Sequence, residues 1–102
     1  MLADIEGKLD VVRDLCVTYR VRRLELFGSA AEDQPAEQPN DLDFLVEFLS
    51  MPPVEYADCY FGLLEALEET FGYAVDLAEI SQLTNPYFLE AIQPARTVLY
   101  AA

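Results

Sequence analysis

Apolar residues recur along the first part of the chain at helical spacing. Ile5, Leu9, Val12, Cys16 and Tyr19 are separated by four, three, four and three positions, which predicts a helix from Ala3 to Tyr19 with these side chains on one face. Val21-Arg22-Arg23-Leu24-Glu25-Leu26-Phe27 reads as a short strand that places Leu24 and Leu26 together and ends in the turn signal Gly28-Ser29. The stretch from Ala30 to Asn40 is polar and holds Pro35 and Pro39, so it is expected to give a turn or two of helix over Ala30–Asp33 and then loop. From Asp41 to Phe48 the chain alternates: Leu42, Phe44, Val46 and Phe48 take one face of a strand, and Asp41, Asp43, Leu45 and Glu47 the other. After Met51-Pro52-Pro53, the residues Tyr56, Tyr60, Leu63, Leu67 and Phe71 mark a second long helix, with Gly72 where a helix end favours positive φ. Tyr73 to Ala78 reads as a third strand. Asn85-Pro86 starts a short helix to about Gln93, and Val98 to Tyr100 forms a last short strand.

The order is helix, strand, strand, helix, strand, helix, strand. It predicts an α/β (α+β) fold, a small sheet with helices packed on it. At 102 residues the chain is expected to be one domain, 1–102. Hydrophobic residues make up 53% of it, enough for one compact core. That core is small, so a hetero- or homo-oligomer is expected. Ordinary core burial is the expectation for the apolar stripe of the second long helix, although Tyr56, Tyr60, Phe61 and Leu64 together are wide enough to extend into an interface.

Charge narrows the function. Nineteen acidic against six basic residues give a net charge of -13. Such a surface repels phosphate backbones, so direct nucleic-acid binding is not expected, whereas a metal ion or a basic protein partner suits it. Simple solubility is the other reading of the bulk charge. The absence of histidine removes histidine-based triads and the common zinc sites. Cys16 and Cys59 lack metal-ligand spacing and are expected as buried, reduced thiols. Met1 to Asp10 does not read as a signal peptide and no apolar run reaches the length of a membrane span, so a cytoplasmic location without membrane contact is expected.

Three features carry candidate chemistry. Gly28-Ser29 follows a strand, where glycine lets the backbone approach a phosphate and the serine hydroxyl adds a donor; a Gly-Ser turn with no ligand is the other reading. Asp41 and Asp43 are two apart on a strand and point the same way, so their carboxylates repel unless a divalent cation lies between them; solvated strand-edge aspartates are the alternative. Asp76 is a lone carboxylate in the apolar run Ala74-Val75-Asp76-Leu77-Ala78, read either as a solvated position or as a third acid that meets the other two.

Taken together, Leu26-Phe27-Gly28-Ser29, Asn40-Asp41-Leu42-Asp43-Phe44-Leu45-Val46 and Val75-Asp76-Leu77 resemble the nucleotidyltransferase superfamily related to DNA polymerase β, and within it the minimal nucleotidyltransferase (MNT) branch. The resemblance spans nearly the whole chain. It implies a mixed sheet with helices packed on it, Mg²⁺ held by Asp41, Asp43 and Asp76, and nucleotide phosphates held at Gly28 and Ser29. It implies Asp76 as base or second-metal ligand, in-line attack on the α-phosphate of ATP or another nucleoside triphosphate, and loss of pyrophosphate. Proteins of this kind pair with helical HEPN partners as antitoxins and transfer AMP to a tyrosine hydroxyl of the toxin. The sequence departs from the family pattern after Gly28-Ser29, where Glu32-Asp33 replaces an Arg-Gly pair. Two acids near a polyphosphate oppose binding, and Arg offers bidentate donors that Glu lacks. A catalytically degenerate antitoxin that works by binding alone is therefore the competing expectation. A small-molecule nucleotidyltransferase ranks behind both, because the chain has no room for an added acceptor domain.

Overall fold

The computed structural model describes residues 3–28, 41–80 and 96–102. The expected turn at Ala30–Asp33, the loop to Asn40 and the helix from Asn85 to Gln93 lie outside the described residues. Two short helices, α1 (Ala3–Glu6) and α2 (Leu9–Thr18), lead into strand β1 (Val21–Phe27). Strand β2 (Asp41–Phe48), helix α3 (Pro53–Phe71), strand β3 (Ala74–Glu79) and strand β4 (Thr97–Ala101) follow.

The helix predicted over Ala3 to Tyr19 is divided at Gly7-Lys8. Gly7 N–H donates to Ala3 O at 3.0 Å and Lys8 N–H to Ile5 O at 3.1 Å, closing α1 in a tight turn before Val12 N–H picks up Lys8 O. Glycine is poor helix material. The turn also leaves the Lys8 side chain able to reach α3, where its Nζ donates to Thr70 O at 2.7 Å and lies 5.8 Å from the centre of the Phe71 ring. Helix α3 has no basic residue in its own last turn, so Lys8 brings a cation to the negative end of its dipole from a distant part of the chain.

Helix α3 begins with Pro53 in its first turn and ends at Gly72, which adopts φ 73° and donates its N–H to Glu68 O at 2.8 Å. No atom lies within 4 Å of where a Gly72 Cβ would stand, so the backbone angle rather than space selects glycine there. The turn from α2 into β1 is made by Arg20 at φ 57°. Its carbonyl accepts from Leu49 N–H at 2.9 Å and its guanidinium meets Glu55 at 3.2 Å, which hold a left-handed conformation that is costly for a side-chain-bearing residue.

Among the described residues the strands form one sheet in the order β3-β2-β1-β4. β1 pairs antiparallel with both β2 and β4, whereas β2 and β3 are parallel and joined by the α3 crossover. The sheet is therefore mixed, with helices packed on it. The predicted alternation of β2 holds: Leu42, Phe44, Val46 and Phe48 are all buried. They join Leu24, Leu26, Leu77 and Leu99 against Ile5, Val12, Cys16, Leu63, Leu67 and Phe71 in one core, where the Phe44 and Phe71 rings stack 6.4 Å apart. Cys16 and Cys59 are both free and buried, as expected. Phe61 breaks the expectation of ordinary core burial for the α3 stripe, being 62% exposed, while Tyr56, Tyr60 and Leu64 pack partly buried against the core. Among the described residues no helix is long and apolar enough to cross a membrane.

Candidate functional site

The sheet face opposite the core carries the candidate chemistry. Asp41 and Asp43 project from it two residues apart at the start of β2. The parallel register of β2 and β3 sets Asp43 directly opposite Asp76. Directly paired residues share a face, and neighbouring strands run about 4.8 Å apart, so the two side chains stand side by side. The third acid, thirty-three positions further along the chain, is thus delivered to the first two by the α3 crossover.

Their environments differ. Asp41 and Asp76 are exposed, and Asp43 is half-buried between them. The Asp43 carboxyl is pushed above its ordinary value, first by burial and then by the charges of Asp41 and Asp76. Among the described residues, no three such ligands already stand close enough to form a ready-made metal cage. The donor set nevertheless suits Mg²⁺, a hard cation that takes one or two carboxylates and completes its shell with water and phosphate oxygens. A cation beside Asp43 would also relieve the repulsion that raises its pKa.

Gly28 adjoins these acids. It adopts φ 78°, and a Cβ built on it would lie 2.7 Å from Asp43 Oδ2. Two constraints therefore select glycine here: a left-handed backbone and the carboxylate against it. Phe27, immediately before it, pairs with Asp43 in the antiparallel β1–β2 register. Gly28, Asp41, Asp43 and Asp76 are thus brought to one end of one sheet face. Ser29 and the Glu32-Asp33 pair lie outside the described residues.

The same face holds a residue that sequence reasoning overlooked. Glu25 is 2% exposed in the middle of β1, beside the fully buried Leu45 of β2. Its carboxylate accepts from Arg96 Nη2 at 2.6 Å and from Arg23 Nη2 at 3.3 Å. The available signal was a lone acid between Leu24 and Leu26, the same pattern that singled out Asp76. The other arginines at the start of β1 pair with surface acids: Arg20 with Glu55 and Arg22 with Glu47. A pocket of about 440 Å³ lies elsewhere, where Tyr56, Tyr60 and Phe61 of α3 face Leu77 and Glu79 of β3. The Tyr56 hydroxyl donates to Glu79 there, and the acid row does not line this pocket.

The element order and mixed sheet are those of the small nucleotidyltransferases. A solved structure provisionally described as a minimal nucleotidyltransferase superposes with a TM-score of 0.70 at 27% identity, covering 91% of this chain and 90% of that one. The sequence profile of the nucleotidyltransferase domain family matches residues 9–99, and the chain belongs to that family. A relative from Methanocaldococcus jannaschii, provisionally named a protein adenylyltransferase, is 35% identical over 75 residues, which are 74% of this chain and 73% of that protein. The fold is also shared with a complex between a tri-AMPylated HEPN toxin of Shewanella oneidensis and an MNT antitoxin, with a TM-score of 0.63 at 14% identity, covering 95% of this chain and 72% of that one.

Proposed function

We propose that this protein is a Mg²⁺-dependent nucleotidyltransferase that moves AMP from ATP to a hydroxyl of a HEPN-type protein partner and thereby acts as its antitoxin. The observation that carries the reading is the register of Asp43 with Asp76 at the end of the sheet where Gly28 packs against the Asp43 carboxylate. The protein-adenylyltransferase name of the Methanocaldococcus relative and the AMPylated toxin of the Shewanella complex support this substrate and partner.

In this reading the Gly28 backbone admits the triphosphate, and Ser29 adds a hydroxyl donor to it. Asp41 and Asp43, with Asp76 beside them, would hold Mg²⁺. When bound, the ion would neutralise charge on the phosphoryl oxygens and on the entering and leaving oxygens. Asp76, exposed at the edge of the row, accepts the proton of the acceptor hydroxyl. The acceptor oxygen then bonds to the α-phosphorus as the bond from that phosphorus to the bridging oxygen breaks, and pyrophosphate departs. Positioning and charge neutralisation supply most of the acceleration in such displacements.

Glu32-Asp33 favours a second reading, an antitoxin that neutralises its partner by binding without transfer. One experiment decides. The purified protein is mixed with α-labelled ATP, Mg²⁺ and the product of the neighbouring gene, beside an Asp41→Asn/Asp43→Asn variant. Label on the neighbour with wild type alone is expected. A tight complex without label would overturn the enzymatic reading and leave occlusion.

A further inference from the structure

The outer side of α3 is apolar where a solvated helix face would be polar. Cys59, Leu63 and Leu67 recur every four residues and are buried in the core. Val54, Ala57 and Phe61, three and four apart, lie on the opposite side of the helix, with Val54 76% and Phe61 62% exposed. This lane runs into the pocket of about 440 Å³ between α3 and β3, because Ala57 and Phe61 also line it. The pocket walls are fixed. The Tyr60 hydroxyl donates to Leu77 O at 2.5 Å, the Tyr56 hydroxyl is tied to β3 as well, and Phe61 stands edge-on to Tyr60 at 5.2 Å. A concave apolar site formed in advance costs little ordering when a side chain enters it.

Charge selects the occupant. Helix α3 carries five acids and no base. Three of them, the exposed Asp58, Glu65 and Glu69, are spaced by seven and four and form a lane beside Phe61 on the side away from the pocket. The six basic residues of the chain are all engaged, and among the described residues the only α3 carboxylate that meets one is Glu55, with Arg20. The acid lane is thus left without a cation of its own chain. A second copy would set the same acids against each other, and a nucleic acid would add more negative charge. A basic protein surface complements the lane.

We propose that the α3–β3 face docks a basic, amphipathic segment of a protein partner. An apolar side chain of that segment enters the pocket against Phe61, and its Lys or Arg side chains meet Asp58, Glu65 and Glu69. The proposal deepens the protein-partner part of the reading above and rests on it, but not on nucleotide transfer. Docking here also leaves the acid row open, because Asp41, Asp43 and Asp76 lie on the sheet face turned away from the core and α3.

The test is calorimetric titration of the full chain with the purified product of the neighbouring gene, without nucleotide. Light scattering of each protein alone comes first. The variants are Phe61→Ser, Val54→Ser and Asp58→Asn/Glu65→Asn, with Val17→Ser, 67% exposed on α2, as the control. Phe61→Ser is expected to weaken the complex about thirtyfold, the scale of one central anchor, and Val17→Ser to leave it unchanged. Added salt is expected to weaken the wild-type complex, and the Asp58→Asn/Glu65→Asn complex less steeply. A complex that forms with wild-type affinity in Phe61→Ser and Val54→Ser, with an unaltered salt response in the acid variant, would overturn the proposal alone. A wild-type chain that is dimeric and becomes monomeric in Phe61→Ser would assign the face to a second copy and overturn it too. A wild type that forms no complex would overturn the protein-partner reading, and this proposal with it.

Discussion

A Cβ placed on Gly28 would lie 2.7 Å from Asp43 Oδ2, so the glycine and the carboxylate occupy complementary space at the head of the sheet. Gly28→Ala combines two penalties, the contact and the left-handed φ of 78°. The expected loss is about 1–2 kcal/mol or more. Urea unfolding of Gly28→Ala and of Gly28→Ala/Asp43→Ala checks this. Removing the carboxylate should recover the contact part and leave the backbone part. Equal stability of Gly28→Ala and wild type would contradict the geometry.

Asp43 carries repulsion from Asp41 and Asp76 in addition to its partial burial. Asp43→Asn removes a charge that the fold resists, so the variant is expected to melt a few degrees higher than wild type at neutral pH without metal, the usual sign of a site kept for function. Mg²⁺ or Mn²⁺ should raise the melting temperature of wild type but not of Asp43→Asn. Thermal scans with and without each cation measure both effects. A variant that melts lower than wild type and still responds to metal would argue against Asp43 as a ligand.

The helix pair α2–α3 supplies a sign test. Gly62 sits inside α3, where alanine is ordinarily better than glycine by about 1 kcal/mol. Here an added Cβ would press into the ring of Tyr19, only 3.1 Å from its Cδ1 and closer still to Cε1. Gly62→Ala is therefore expected to destabilise by about 1–3 kcal/mol. In a Tyr19→Ala background the same change should stabilise. A double-mutant cycle by chemical denaturation reads the reversal, and the absence of a change of sign would mean that the ring yields freely.

Burial pushes the Cys16 thiol up to about 12, from an ordinary 9.0. Because the folded value is raised, this group's contribution to stability is intact below about pH 9 and is lost as the pH climbs towards 12. At pH 8 the folded protein should leave Cys16 unreacted with iodoacetamide while urea exposes it, since the thiolate is the nucleophile. Peptide mass spectrometry after brief labelling checks this. Equal labelling in both states would show that the core around Cys16 opens readily.

Much of this architecture can be read from local pattern. The two-residue alternation of Asp41–Phe48 announces β2 and its acid face, and Pro53 and Gly72 bound α3 by their own backbone preferences. What escapes the pattern depends on residues far apart in the chain. The break at Gly7-Lys8 makes sense once Lys8 is seen serving the end of α3, sixty-two positions on. The burial of Glu25 depends on Arg96, seventy-one positions on. Leu45 lies on the acid-bearing face and is nevertheless fully buried, which alternation alone does not foretell. The strand order, and with it the pairing of Asp43 with Asp76, is a property of the crossover rather than of either strand.

The place of β4 has a kinetic consequence. β1 is an interior strand only because Thr97–Ala101 lines its outer side. During synthesis, β1, β2, α3 and β3 emerge well before those residues. Through that interval β1 presents an unpaired row of backbone donors and acceptors, the kind of edge that recruits other chains. Completion of the sheet is therefore a late event of long loop closure, and a chain stalled or cut before Thr97 is expected to aggregate rather than to persist as a three-stranded intermediate.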